Sequence, residues 1–294
     1  MKKMTLVVES SAAIMIAAAF LSKACASRLC LIQFAIGAIF HGIPTLAKDG
    51  TSLFFNKAAA CALFLFMENF LGYWTLSKGG IVPYTIVILS NDLILFAMAV
   101  IFHAEWRFTL DRISVILRIS AMALIPIIAL MRELSSEMET IAVATGMFVA
   151  SGIAITLFQI MLEKNTERTV DECKSVVYLL ATVLTIAVDA AVTRKWKISS
   201  YSSIFIVVAF AFAVIVYTVA TKKTPEQSNN PITKRMRLIL SLILSWSFEK
   251  KIIVIIHTCI IVAFVLDGIR IQRKEDQEKE EQGQEMKLSK EMIP

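Results

Sequence analysis

Charged residues are scarce in this chain. Asp, Glu, Lys and Arg make up 18% of 294 residues, 57% are apolar, and the mean hydropathy is +0.69. Soluble domains carry about 25% charged and about 45–50% apolar residues, and no stretch outside the apolar blocks could build a core of its own. The shortage excludes an ordinary soluble domain, a disordered chain and a collagen-like one. Glycine and proline are also few, ten and six, which counts against the Gly/Pro-broken helices of alternating-access transporters. The five cysteines (Cys25, Cys30, Cys61, Cys173, Cys259) are scattered, mostly inside apolar runs, and no CxxC occurs. Neither a disulfide framework nor a thiolate metal site is indicated.

Several chemical signatures are missing too. There is no H-x-x-x-H or H-E-x-x-H spacing, no P-loop, no dinucleotide fingerprint and no G-x-S-x-G elbow. No lysine stands at mid-segment for a retinal Schiff base, and Arg107, Arg112 and Arg118 lack the regular spacing of a voltage sensor. Asn91-Asp92 begins the N-D-x-x-D pattern that holds magnesium-diphosphate in intramembrane prenyltransferases, but Leu95 stands where the second acid is needed. No cofactor and no metal are expected.

What is present is a series of apolar segments. A bilayer core about 30 Å thick needs about 20 mainly apolar residues per helix. Runs that qualify lie at approximately 4–22, 29–47, 58–76, 81–102, 113–131, 140–162, 175–193, 201–221 and 252–269. Strand alternation is absent from them, so the expected fold class is all-α: a polytopic transmembrane helical bundle of eight or nine spans over residues 1–269, with no soluble domain. The stretch 235–248 is too short to cross. With Lys234, Arg235 and Arg237 at its start and Trp246 within it, it reads as an interfacial helix. Residues 270–294 form a charged, solvated tail.

At the N-terminus, Lys2-Lys3, the apolar run to Leu21 and Ala24-Cys25-Ala26 imitate a signal peptide, although Glu9 interrupts the run. The net charge of +6 resides between apolar segments. That placement suits lipid headgroups as partners, and no nucleic acid is expected. Alternating the loops places fourteen Lys and Arg on the side of the N-terminus and ten on the other. This favours a cytoplasmic N-terminus and, with nine spans, a C-terminus across the membrane. No internal repeat is visible, though close small-residue packing is available from Gly146 to Gly152.

Ionisable residues within such segments are costly to bury and mark candidate sites. Glu68 and Asp92 lie near the middle of the third and fourth segments, and the loop Ser77–Gly80 is short, so these helices are antiparallel neighbours. Counting about 1.5 Å per residue places both carboxyls near the bilayer midplane, within about one turn of each other. A protonated acid in an apolar pocket suits a general acid and equally a proton relay. A third reading has Glu68, Asn69, Asn91 and Asp92 binding each other and fixing the helix pair. Arg118 is expected to snorkel to the headgroups, with an inward turn toward Asp92 as the alternative. Asp189 is expected to pair with Arg194, and Glu9 is buried to a similar depth. His41 and His257 read as satisfied core histidines, and His103, Glu105, Trp106 and Arg107 as an interfacial cluster.

Three functions follow. The first is a membrane-embedded enzyme acting on a lipid or isoprenoid, a metal-independent terpene-cyclase-like or isomerase-like proton chemistry. Glu68 and Asp92 are its catalytic acids, and Asn69, Asn91, Arg118 and Asp189 are helpers. Phe64, Phe66, Phe70, Tyr73, Trp74 and Phe96 stand near these acids in sequence, and aromatic faces stabilise a developing carbocation. The second is a proton-coupled small-solute transporter or channel using the same acids. The third is a non-catalytic membrane scaffold.

Overall fold

The computed structural model describes residues 2–22, 26–41, 52–101, 111–131, 137–164, 170–192, 201–223 and 235–291. Every element among them is helical: α1 (Lys2–Ser22), α2 (Ala26–His41), α3 (Ser52–Trp74), α4 (Ile81–Ile101), α5 (Arg112–Met131), α6 (Glu137–Lys164), α7 (Val170–Val192), α8 (Tyr201–Lys223), α9 (Arg235–Phe248) and α10 (Lys251–Glu291). In lipid each backbone N–H and C=O needs a partner within the chain, and a helix supplies it locally. Seven helices are long and apolar enough to cross a membrane: 56–79, 81–98, 112–131, 139–161, 172–191, 204–221 and 251–274. Three shorter apolar helices, Leu6–Ser22, Ala26–His41 and Arg237–Phe248, pack among them. The protein is a multi-pass helical membrane protein.

The corners have local causes. A single π-helical turn, Thr75–Gly79, ends α3, and the chain reverses at Gly80. Gly80 sits at φ 90°, where a side chain would be strained, and its N–H reaches Thr75 O at 2.7 Å. Asp111 caps α5: its Oδ1 accepts from the Ser114 N–H at 3.0 Å, satisfying a donor that the first turn leaves open. Only Glu249 and Lys250 separate α9 from α10. One glycine is required by close approach. A Cβ on Gly152 of α6 would lie 2.4 Å from Ile94 Cγ1 of α4, so this helix crossing depends on its absence.

The helix pairings follow a rule. Among the described residues, α1 packs on α8 as α6 packs on α3, and α1 packs on α9 as α6 packs on α4. Likewise α2 meets α8 as α7 meets α3, and α9 meets α10 as α4 meets α5. The pairs α2–α7 and α4–α9 map onto themselves. Adding five to each helix number reproduces these pairings, although α2–α3 and α5–α6 have no comparable counterpart among the described residues; α1–α5 and α6–α10 are in this sense two structural halves.

Contact pairs give the helix directions. Cys61 meets Ala154 while Leu71 meets Gly146, so α3 and α6 are antiparallel. Ser27 meets Asp189 while Gly37 meets Tyr178, so α2 and α7 are antiparallel. Glu9 meets Arg237 and Phe20 meets Phe248, so α1 and α9 are parallel. Asp111 meets Arg270 while Lys250 meets the Met131 carbonyl, so α5 and α10 are antiparallel. In each of these pairs, helices of like parity run together and helices of unlike parity run oppositely. A half of five elements reverses the direction of the next, so the second half is inverted relative to the first.

This order corrects one expectation. A repeat exists although the sequence hides it. The helix α9 falls among the shorter apolar helices, as its length implied, and it packs against α1, α4 and α10. The signal-like segment is α1, an integral member packed on α8 and α9. The helix α10 continues through the charged tail to Glu291. The cluster His103–Arg107 and residue Arg194 lie outside the described residues.

Candidate functional site

Helical periodicity carries one polar stripe from several helices to a common centre. Leu65, Glu68, Asn69 and Gly72 of α3 recur at the spacing of one helix face, as do Tyr84, Val87, Ile88 and Asn91 of α4. Met147, Ser151 and Ile155 do the same on α6, and Ala12, Met15 and Ile16 on α1. Gln33 of α2, Tyr178 of α7, Tyr217 of α8 and Arg237 of α9 complete the wall of a cavity of about 360 Å³. Eight helices contribute, the first four of each half. The volume falls within the range of small-molecule sites, about 300–1,000 Å³.

The cavity groups are held in place. Tyr73 Oη donates to Gln33 Oε1, and its ring meets Phe210 edge-on with centroids 5.6 Å apart. The Tyr178 ring stacks on His41 at 5.4 Å, in the space left beside Gly37. Glu68 stands near the middle of its span, with Ser151 within hydrogen-bonding reach. Arg237 donates to Glu9 Oε1 at 2.9 Å, and Glu9 is buried. Asn69 donates to the carbonyl of Leu65 in its own helix at 2.9 Å. The buried Oδ1 of Asn91 has no hydrogen-bond partner among the described residues.

Asp92 belongs elsewhere. It follows Asn91 by one residue, about 100° around the helix, and faces α5 and α10 rather than the cavity. Arg118 donates to its Oδ2 at 3.1 Å. Arg118 is 1% exposed, so it does not snorkel. It also donates to Asp267 Oδ2 at 3.1 Å and to the Ser114 carbonyl at 3.0 Å, and lies 5.5 Å from the Phe264 ring centroid. Ser114 Oγ and Arg270 bind Asp267 in turn, at 2.9 Å and 2.7 Å, and Arg270 also binds Asp111. The Arg270 guanidinium holds the Asp111 carboxyl well below the usual carboxylate range. The cluster ties α4, α5 and α10 together at one end of the bundle.

The structure thus separates the two acids that depth alone had paired. Glu68, Asn69 and Asn91 face the cavity, whereas Asp92 and Arg118 are bound in an ion cluster. Asp189 lies between α2 and α7, where Ser27 Oγ donates to it at 2.6 Å. His257 is fully buried, yet neither ring nitrogen has a hydrogen-bond partner among the described residues, unlike the satisfied histidine expected. His41 is buried against Tyr178. Of the aromatic residues singled out beside the acids, Tyr73 alone lines the cavity. Among the described residues, no three of His, Cys, Asp and Glu gather in a way that could hold a metal ion.

Sequence reading missed Gln33, Tyr84, Ser151, Tyr178, Tyr217 and Arg237. One signal was available: the chain has only five tyrosines, and four of them, Tyr73, Tyr84, Tyr178 and Tyr217, line this cavity. Compared with known protein families and with curated proteins, the sequence matches none.

Proposed function

We propose that the protein carries a small solute across a membrane by alternating access, with the cavity between its two inverted halves as the solute site. The observation that supports this reading most is the repeat of helix packing about a polar cavity. Inverted repeats with a mid-membrane site at their interface are the general design of secondary transporters, because two equivalent halves can rock to open the same site to either side.

In this reading all ten helices cross, and both termini lie on one side. The charge distribution fits better than with nine spans. Arg270, Arg273 and Lys274 then join the side of the N-terminus, and Lys250 and Lys251 fall on the other, giving seventeen Lys and Arg against nine. That excess assigns the termini to the cytoplasm. Glu68 is the acid on which proton coupling would act. The enzyme and transport readings drew on the same two acids; of these Glu68 alone lines the cavity, and the repeat of helix packing is what favours transport.

The test is flux. Purified protein in sealed liposomes, given a panel of labelled cationic, anionic and neutral solutes under imposed ion gradients, should exchange at least one of them above protein-free vesicles. No exchange across the panel, with correctly inserted protein, overturns the proposal.

A further inference from the structure

The charges around the cavity, on the assumption that it is the transport site, restrict what the solute can be. Among the described residues, two charged side chains line it, Glu68 and Arg237. Arg237 is already neutralised by buried Glu9 at 2.9 Å. No cation pairs with Glu68 among the described residues; its polar neighbour is the Ser151 hydroxyl. The lining therefore carries one uncompensated negative charge when Glu68 is ionised.

An anionic solute could reach a cation on this lining only by competing with Glu9 for Arg237, at the cost of a buried ion pair. A neutral solute would leave Glu68 either protonated or unmatched and make no use of its charge, whereas a cation can take the place of the proton. A cation meets neither difficulty.

The rings select for the same sign. Four tyrosines surround the cavity, and the face of an aromatic ring is negative. An organic cation gains from such faces beyond its contact area, more so when both are shielded from water. Two of the rings are held before anything binds, Tyr73 by Gln33 and Phe210, and Tyr178 by His41. A small inorganic cation would leave most of the roughly 360 Å³ empty. We propose that the solute is a compact organic monocation, bound with its charge against Glu68 and its body among the tyrosine rings.

The probe is labelled 1-methyl-4-phenylpyridinium, whose permanent charge prevents leakage as a neutral base. Wild-type protein in liposomes should accumulate it under an inside-negative potential, while labelled benzenesulfonate and mannitol stay at background. Glu68→Gln should lower probe uptake by at least about tenfold, the loss of one charge-assisted contact in a desolvated site. Tyr178→Ala should reduce it, and Tyr178→Phe should restore it. A measurement on the unaltered chain guards against misfolding of the variants. Modification of Glu68 by dicyclohexylcarbodiimide, read by peptide mass spectrometry, should be slowed by the probe and not by benzenesulfonate. Undiminished uptake by Glu68→Gln, or absence of both uptake and protection in the wild type, overturns the inference. Carriage of benzenesulfonate or mannitol instead of the probe also overturns it while leaving the transport reading standing. Silence of the entire solute panel removes both.

Discussion

Replacing Arg118 by Met should destabilise the protein more than removing any exposed charge, because of what it leaves behind. Asp92 has no other hydrogen bond or ion pair among the described residues and is buried. Asp267 keeps Arg270 and Ser114, so one carboxylate is stranded, not two. Removing one partner of a buried pair costs about 3–5 kcal/mol. At roughly 2–4 °C per kcal/mol for a chain of a few hundred residues, the midpoint should fall by about 6–20 °C. Replacing both members with apolar residues of similar size is often neutral. The double variant Asp92→Leu/Arg118→Met should accordingly recover most of the loss and retain whatever flux the wild type shows. The assay is the fraction of detergent-solubilised protein that stays monodisperse after heating. A single variant within about 2 °C of wild type, or a double variant no better than the single, refutes the assignment of Asp92 to a structural tie. Loss of flux in a well-folded double variant would return Asp92 to the site.

Gly152→Leu should force α4 and α6 apart at Ile94 and cost about 1–3 kcal/mol by overpacking, and Ile94→Ala in the same chain should relieve part of it; the heating assay reads both, and additive losses contradict the close crossing. Because Arg270 lowers the Asp111 carboxyl in the folded state, its contribution is fully present above the ordinary Asp range near pH 3.9 and disappears as pH falls through the lowered value. The stability gap between wild type and Asp111→Asn should therefore be present at pH 6 and narrow on strong acidification; a gap unchanged with pH counts against this pair. Epitope tags at the two ends should be digested from the same face of sealed vesicles. Digestion from opposite faces removes the ten-crossing topology.

The helices were legible because lipid imposes a simple condition, a run of apolar residues closed by charge. The seven long ones begin and end close to where hydropathy changes; α6, for instance, covers 137–164 against a hydropathy segment of 140–162. Glu68, Asn69 and Asn91 were legible as buried polar groups. Their partners were not, because sequence gives depth along a helix more readily than direction around it. Asn91 and Asp92 are at one depth and face different neighbours. The repeat was hidden for a related reason: equivalent helices keep their packing but not their side chains. The α3 helix brings Glu68, Asn69 and Tyr73 to the cavity, its counterpart α8 brings Tyr217, and α4 has 21 residues where α9 has 14. Whether the short α9 crosses sets the side of the final helix, and hydropathy over 14 residues does not decide it. The scarcity of glycine and proline did not point to the cavity, which is lined by whole helices carrying polar stripes.

The account depends on one cavity reached in turn from both sides. A single cysteine at Ser151, in a chain otherwise free of cysteine, can be offered a membrane-impermeant maleimide from either face of sealed vesicles. Alternating access predicts modification from each face, slowed in both cases by a solute that the protein carries. Modification from one face alone under every gradient, or from neither with the protein folded, would contradict it.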